Sequence, residues 1–336
     1  MEKDLIIAGG HKGDIQRGPR ATSGSATIVK RTTAWEVLMY LGMALRVDEA
    51  MCALAVFVPP LVAVLPPAKH GTGDWMRVDS SEDVPFLVRC HQKLQQASAE
   101  THGYNELMDA AVWGICLIDV TDTLRKPCVA DFKVGFVRHS PHTPAEKVMR
   151  ISRKRLVQPH ALRLCGAHHR YFHCPTSSDV ACLKEEVCGK DVGYALETEE
   201  EYRWWLRAFF SCTASIKTSG ENLTCNDNER VTARSHVCRQ HLQKLLVFFN
   251  SSLGRALLER TALVSTSLLL IYDAADGVNG KVDDCEGVNV NTDFDNHCDA
   301  RVYLIDFARS SRRRLNFAEE KVGFVQGLEN MVHLLL

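Results

Sequence analysis

The chain has 336 residues, 46% of them hydrophobic and 24% charged, a balance that excludes wholesale disorder and supplies a core without disulfide or metal staples. Forty Lys plus Arg against 41 Asp plus Glu leave a net charge of −1, which argues against a general nucleic-acid coat or a basic membrane-surface protein but leaves room for a local basic patch. Thirteen cysteines, with no C-x-x-C pair, and an opening MEKDLIIAGG too polar for a leader predict reduced thiols in a cytoplasmic or nuclear protein.

In chain order, Gly9 to Ser25 is Gly-, Arg- and Ser-rich and predicts a flexible opening. Ala26 to Lys30 predicts a strand and Trp35 to Ala55 a helix. Ala50 to Pro67 is long and apolar enough to cross a membrane, but Pro59-Pro60 at its middle removes two backbone donors. It reads instead as a buried helix end running into a strand or turn. Lys69 to Asp83 predicts a loop, and Phe86 to Ala97 a strand followed by a helix. Val112 to Val120 and Cys128 to Val134 predict strands, with a turn over Thr121 to Pro127. Thr143, Pro144 and Glu146 form a capping pattern for a helix over Pro144 to Arg155. Leu162 to Tyr171 is strand-like. Glu197 to Phe210 predicts a helix with an acidic first turn, and Ser235 to Phe249 another. Thr266 to Tyr272 and Val302 to Phe307 predict late strands on either side of an acidic, Asn/Gly-rich insertion over Ala274 to Ala300. Gly323 to Leu336 predicts a closing helix. This order suits a two-lobed α+β enzyme better than a doubly wound sheet.

Neither G-x-x-x-x-G-K-[ST] nor G-x-G-x-x-G occurs, and His-Arg-Asp and Asp-Phe-Gly are missing. P-loop enzymes and ordinary protein kinases are therefore unsupported. Asp273 to Glu286 fails the ligand spacing of a calcium loop. Cys165, His168, His169, His173 and Cys174 look metal-like but lie on a predicted strand, where neighbours point to opposite faces, so surface histidines beside core cysteines are the better reading.

Pro127-Cys-Val-Ala-Asp131-Phe-Lys133-Val-Gly135 carries the most information. A carboxylate and an ammonium two residues apart on a strand share a face, and apolar neighbours make their burial costly unless they are paired or functional. On the next predicted helix, Lys147, Arg150 and Lys154 fall at i, i+3 and i+7, with Arg138 and His139 upstream. In a neutral protein this stripe reads as a polyanion site with phosphate as its natural ligand. Asp306 ends the apolar strand VYLIDF, where it either caps a turn or holds Mg²⁺ against a nucleotide.

PCVADFKVG resembles the Pro-x-x-x-Asp-x-Lys-x-Gly signature of the inositol polyphosphate kinase family. The rest follows in family order: Gly10-His11, Ile28-Val29-Lys30 with Glu36, Val58-Pro59, the hinge-like LIDVTDTLRKP from Leu117, LRLCG from Leu162, Lys190 to Gly193, Thr266-Ser267-Leu268-Leu269, Ile305-Asp306-Phe307-Ala308 and Gly327-Leu328. Residues 69 to 111 match poorly. The resemblance implies a protein-kinase-like two-lobed α+β fold with antiparallel sheets, an N-lobe over 26–120 after the opening 1–25, and a C-lobe over 121–336 holding the helix 144–155 and the insertion 274–300. It implies a monomeric enzyme that uses ATP and Mg²⁺ on an inositol polyphosphate, with no nucleic-acid partner and no membrane span.

By the same resemblance, Lys30 would meet the ATP phosphates, and the backbone of Ile118, Asp119 and Val120 would hold adenine. Asp131 would lie by the ribose and the reacting centre, and Lys133 would contact the γ-phosphate and the acceptor hydroxyl. Lys147, Arg150 and Lys154 would hold substrate phosphates, and Asp306 would bind Mg²⁺. Arg309 stands where the family often has His, which would favour an extra substrate phosphate. A compact chain leans to the multikinase branch, with a hexakisphosphate kinase or a non-catalytic inositol-phosphate scaffold as alternatives. The scaffold is disfavoured because Lys30, Asp131, Lys133 and Asp306 are all present.

Overall fold

The computed structural model describes residues 5, 12–67, 74–99, 112–137, 145–146, 148–149, 160–173, 182–216, 225–275, 299–312 and 317–335. Two five-stranded sheets, each with all its pairings antiparallel, form the frame. The first is built from β1 (Ile15–Arg17), β2 (Thr27–Thr32), β3 (Leu61–Leu65), β4 (Met76–Arg77) and β5 (Trp113–Ile118) in the order β1-β2-β5-β3-β4. The second is built from β6 (Pro127–Val134), β7 (Leu162–His173), β8 (Cys182–Cys188), β10 (Ser267–Asp273) and β11 (Arg301–Ile305) in the order β11-β10-β6-β7-β8. A small ribbon pairs β9 (Thr261–Ala262) with β12 (Ser311–Arg312).

The apolar alternation of β6 explains its central place. Cys128, Ala130, Phe132 and Val134 face the main core, where the Phe132 ring meets Trp205 edge-on at 5.5 Å between centroids. Val129, Asp131 and Lys133 take the opposite face. Trp205 comes from the helix Glu199–Phe210, whose start is set by a reciprocal capping box between Thr198 and Glu201. The long helix Cys225–Asn250 and the closing helix Phe317–Leu334 complete the layer, with Phe249 against Phe324 at 5.0 Å.

Several expectations need correction. The opening segment, expected to be flexible, contributes the edge strand β1, whose Ile15 pairs with Lys30. The helix expected over Trp35 to Ala55 is two, Ala34–Ala44 and Glu49–Leu54, because Arg46 turns into the left-handed region at φ 51° and Asp48 caps the second with its side chain. The stretch from Phe86 to Ala97 does not open on a strand but lies wholly in one helix, Val84–Ala99; Leu87, Cys90, His91, Leu94 and Ala97 line its buried face at helical spacing. The strand β8 and the helix Lys190–Ala195 went unread: Cys182 to Cys188 carries three charged residues and lies on a sheet edge, where apolar alternation is weak. The apolar run from Ala50 to Pro67 is a helix end, a 3-10 turn and the strand β3. Among the described residues no helix is long and apolar enough to cross a membrane. Residues 276–298 of the acidic insertion lie outside the described residues.

Candidate active site

The two sheets face each other across a cleft of about 430 Å³. The first sheet lends it Ile28 and Lys30 from β2 and Leu117 and Ile118 from β5. The second lends it Val129, Asp131 and Lys133 from β6, Leu269 from β10 and Ile305 from β11. Asp119, Val120 and Thr121, in the connection between the sheets, form part of the wall.

The centre is a chain of opposite charges that joins the sheets. Lys30 Nζ donates to Asp306 Oδ1 at 2.6 Å and to Glu36 Oε1 at 2.9 Å. Lys133 Nζ donates to the other oxygen of Asp306 and to Ser267 Oγ, the latter at 2.6 Å. Glu36 is fully buried and accepts from the Phe307 amide at 3.1 Å, while Thr33 Oγ1 donates to the Ala308 carbonyl at 2.9 Å. The helix Ala34–Ala44 is thereby fixed to the residues following β11. Asp306 sits at φ +65°, a left-handed conformation uncommon outside glycine but tolerated by Asp, and its carboxylate bridges the two lysines.

The electrostatics follow from this geometry. Burial is the largest influence on Lys30 and on Lys133 and opposes their charge, but Asp306 together with Glu36 at Lys30, and Asp306 together with Asp131 at Lys133, overcome it, and both lysines are held above the usual ammonium range. Burial also opposes ionisation of Asp306, yet the two ammonium groups hold it far below the usual carboxylate range. Asp131 goes the other way: burial raises it, with Lys133 pulling against the rise. One of its carboxylate oxygens is buried with no hydrogen-bond partner, so it is an acceptor left over at the cleft wall.

The connection between the sheets presents backbone rather than side chains. Asp119 Oδ1 accepts from the Thr121 amide and hydroxyl at 2.9 and 2.7 Å, so its carboxylate shapes its own turn. The Ile118 and Asp119 amides donate to Pro60 and Ala26 carbonyls, each at 2.9 Å. Among the described residues, the Val120 amide has no protein acceptor. Gly135, last residue of the PCVADFKVG segment, sits at φ +93° and turns the chain sharply out of β6.

Lys30, Ile118, Asp119, Val120, Asp131, Lys133, Asp306 and Arg309 are thus brought to one cleft. Lys147, Arg150 and Lys154 lie outside the described residues, as do Arg138 and His139. Glu36, Ser267, Arg163 and Lys190 stood inside matching segments but had no role assigned. Their role depends on strand register and on contacts between the sheets, which no local pattern reports. Two histidines of β7, expected at the surface, are buried instead: His168 pairs with the Glu185 carboxylate, and His169 Nε2 meets the Ser211 carbonyl at 3.0 Å.

The sequence profile of the inositol polyphosphate kinases matches residues 114–336, two-thirds of the chain and all of the second sheet. The chain belongs to the inositol polyphosphate kinase family. No curated protein matches its sequence. Among solved structures it is similar to the inositol phosphate multikinase Ipk2 of S. cerevisiae, determined in complex with ADP and Mn²⁺. That likeness has 16% identity and a TM-score of 0.51, covering 92% of this chain and 97% of the other. A second inositol phosphate multikinase structure aligns at 16% identity over 70% of this chain and 86% of its own, with a TM-score of 0.43. The family's kinase-like α+β fold, with its two antiparallel sheets, is the one observed here. The Lys30–Asp306–Lys133 bridge lies in the cleft between the two sheets of this family member.

Proposed function

We propose that this kinase transfers the γ-phosphate of ATP to a hydroxyl of an inositol tris- or tetrakisphosphate, as a multikinase. The observation that carries the reading is the meeting of Lys30, Lys133 and Asp306 at one point between the sheets. Phosphoryl transfer asks little covalent chemistry of a protein. It asks for alignment and for charge neutralisation on the phosphoryl oxygens.

Two lysines whose charge survives burial supply the second requirement. Lys30, on the N-terminal sheet, faces the phosphates of a nucleotide whose base lies against Ile28, Leu117 and Leu269, with backbone polar groups around Ile118 and Val120 for the ring edge. Lys133 stands deeper on β6, between the transferred phosphoryl and the acceptor. The leftover oxygen of Asp131 suits a hydroxyl of the ribose or of the acceptor.

A hard divalent cation fits the donors present. Asp306 and Asp131 are oxygen ligands on one wall, and Mg²⁺ takes one or two carboxylates with the remainder from phosphates and water. When bound through Asp306, the ion would add neutralising charge to the phosphates. Arg309 at the cleft mouth and the Lys147, Arg150 and Lys154 stripe supply positive charge for an acceptor that carries several phosphates.

The test is transfer of labelled phosphate from ATP in Mg²⁺ to inositol tris-, tetrakis-, pentakis- and hexakisphosphate offered separately. Product from the tris- and tetrakisphosphates is expected. Pyrophosphate product from the hexakisphosphate alone would move the assignment to that branch, and no product from any acceptor would overturn the reading.

A further inference from the structure

We infer that a second cavity, behind the catalytic cleft, is an effector site for a small neutral molecule: one aromatic ring carrying a single hydrogen-bonding group. Binding there is independent of the kinase reading above; its effect on turnover rests on that reading.

Position supplies the first observation. The cavity holds about 140 Å³ and lies where the helices Ala34–Ala44, Glu49–Leu54, Val84–Ala99 and Ser252–Arg260 meet the chain at Ser310. On Ala34–Ala44, Glu36 and Tyr40 turn toward Lys30 and the cleft, whereas Trp35, Leu38 and Met39 line the second cavity. The same helix is tied to the turn Phe307–Ser310. Glu36 accepts from the Phe307 amide, and the Thr33 hydroxyl donates to the Ala308 carbonyl. The Ser310 amide closes that turn on the Phe307 carbonyl at 2.9 Å. Asp306 immediately precedes it. The cavity therefore backs onto the two elements that hold the Lys30–Asp306 bridge.

Unmet polar groups supply the second. Ser310 is 1% exposed, and its Oγ has no hydrogen-bond partner. A buried hydroxyl in that state is costly unless something completes it. His91 is 7% exposed and lines the same cavity, and its ring makes no hydrogen bond to the described residues. Exposed Gln95 and Arg260 at the edge leave an entrance from solvent.

The walls name the ligand. Arg260 is occupied by Asp48 Oδ2 at 2.6 Å, and the other Asp48 oxygen accepts from the Met51 amide at 2.8 Å. Burial pushes His91 below its ordinary value of 6.5, so its ring is neutral. Neither sign of charge is left over for an ion. Met39, Met51, Leu38 and Trp35 make the rest of the wall apolar, and methionine sulfur packs well against the edge of an aromatic ring. The volume is close to that of the apolar cavity of about 150 Å³ that takes up benzene. One buried oxygen at the Ser310 wall asks for one hydroxyl on such a ring. Phenol is the simplest molecule of that description.

The experiment titrates the full chain with phenol, and with toluene as the ring without the hydroxyl. Calorimetry gives Kd, and amide resonances in TROSY spectra give the site. Ser310→Ala removes the hydroxyl, Leu38→Phe fills the cavity, and circular dichroism verifies that both fold. Phenol is expected to move the resonances of residues 33–39, 91 and 307–310 saturably. Ser310→Ala is expected to weaken phenol by about three- to tenfold while leaving toluene unchanged, and Leu38→Phe to abolish both. Saturating phenol is expected to change kcat or the KM for ATP by about fivefold in wild type and not in Leu38→Phe. Equal phenol affinity in wild type and Ser310→Ala, shifts scattered over the molecule, or no saturable binding would overturn the inference, the cavity then holding water only. Displacement of phenol by inorganic phosphate would overturn the neutral class, and binding with unaltered kinetics would overturn the effector role. Should Leu38→Phe not fold, Ser310→Ala decides alone. A wild-type protein that binds phenol but phosphorylates no acceptor would remove the kinase reading and leave the site, whereas an active kinase that binds no phenol would do the reverse.

Discussion

Lys133 holds its charge inside the protein because Asp306 and Ser267 solvate it in place of water. On the proposed reaction, that arrangement would make it available to charge developing on a transferring phosphoryl group at no cost in reorganisation. Lys133→Met is therefore expected to lower kcat by about 10²–10³-fold with a smaller effect on the KM for ATP, read in single-turnover phosphate transfer. An unchanged kcat would remove Lys133 from the chemistry.

His169 shows the opposite use of burial. Fully enclosed, with Nε2 on the Ser211 carbonyl, it is pushed down to about 4 because burial disfavours the imidazolium. The ordinary value is 6.5, so the unfolded chain takes up this proton first. The stability contributed by the neutral ring is complete above about pH 6.5 and is lost as the pH falls toward 4, up to about 3 kcal/mol in all. His169→Gln keeps a donor without the titration. Urea midpoints at pH 7 and pH 5 are expected to differ less in this variant than in the wild type, and equal differences would contradict the assignment.

At the scale of elements, two junctions hold the cleft walls in place. Gly193 lets the helix Lys190–Ala195 rest on β7 at backbone distance. Gly193→Ala forces these elements apart, with an expected loss of about 1–3 kcal/mol. Chemical denaturation measures the loss, and a wild-type midpoint would show that the packing yields freely. The capping box is the second junction. Thr198→Ala removes the acceptor for the Glu201 amide and is expected to cost about 1 kcal/mol, read as a lower denaturation midpoint with unchanged kcat.

Legibility divides along the same line. PCVADFKVG announced β6 because apolar alternation and turn residues are local, and the acidic first turn of the run from Glu197 to Phe210 announced a helix for the same reason. The break at Arg46 escaped because no Gly or Pro marks it. The helix Val84–Ala99 was read as partly strand because Val84-Pro85-Phe86-Leu87-Val88 looks β-rich until its burial is known.

For the whole molecule, the decisive contacts join residues more than 270 positions apart. Lys30 meets Asp306, Glu36 meets the Phe307 amide, and Thr33 meets the Ala308 carbonyl. A short charged residue after an apolar strand reads equally well as a turn cap, so Asp306 gains its meaning only when the second sheet closes on the first. Family resemblance pointed to the residues, whereas their mutual neutralisation is a property of the fold.

The bridge across the cleft is the centre of this account, and Asp306→Asn tests it most directly because it preserves shape while removing the charge that holds both lysines. Transfer of labelled phosphate from ATP to inositol trisphosphate should be compared in wild type and variant, with circular dichroism on both. The account predicts a folded variant whose turnover falls by about 10²–10³-fold or more. Wild-type turnover in Asp306→Asn would contradict it.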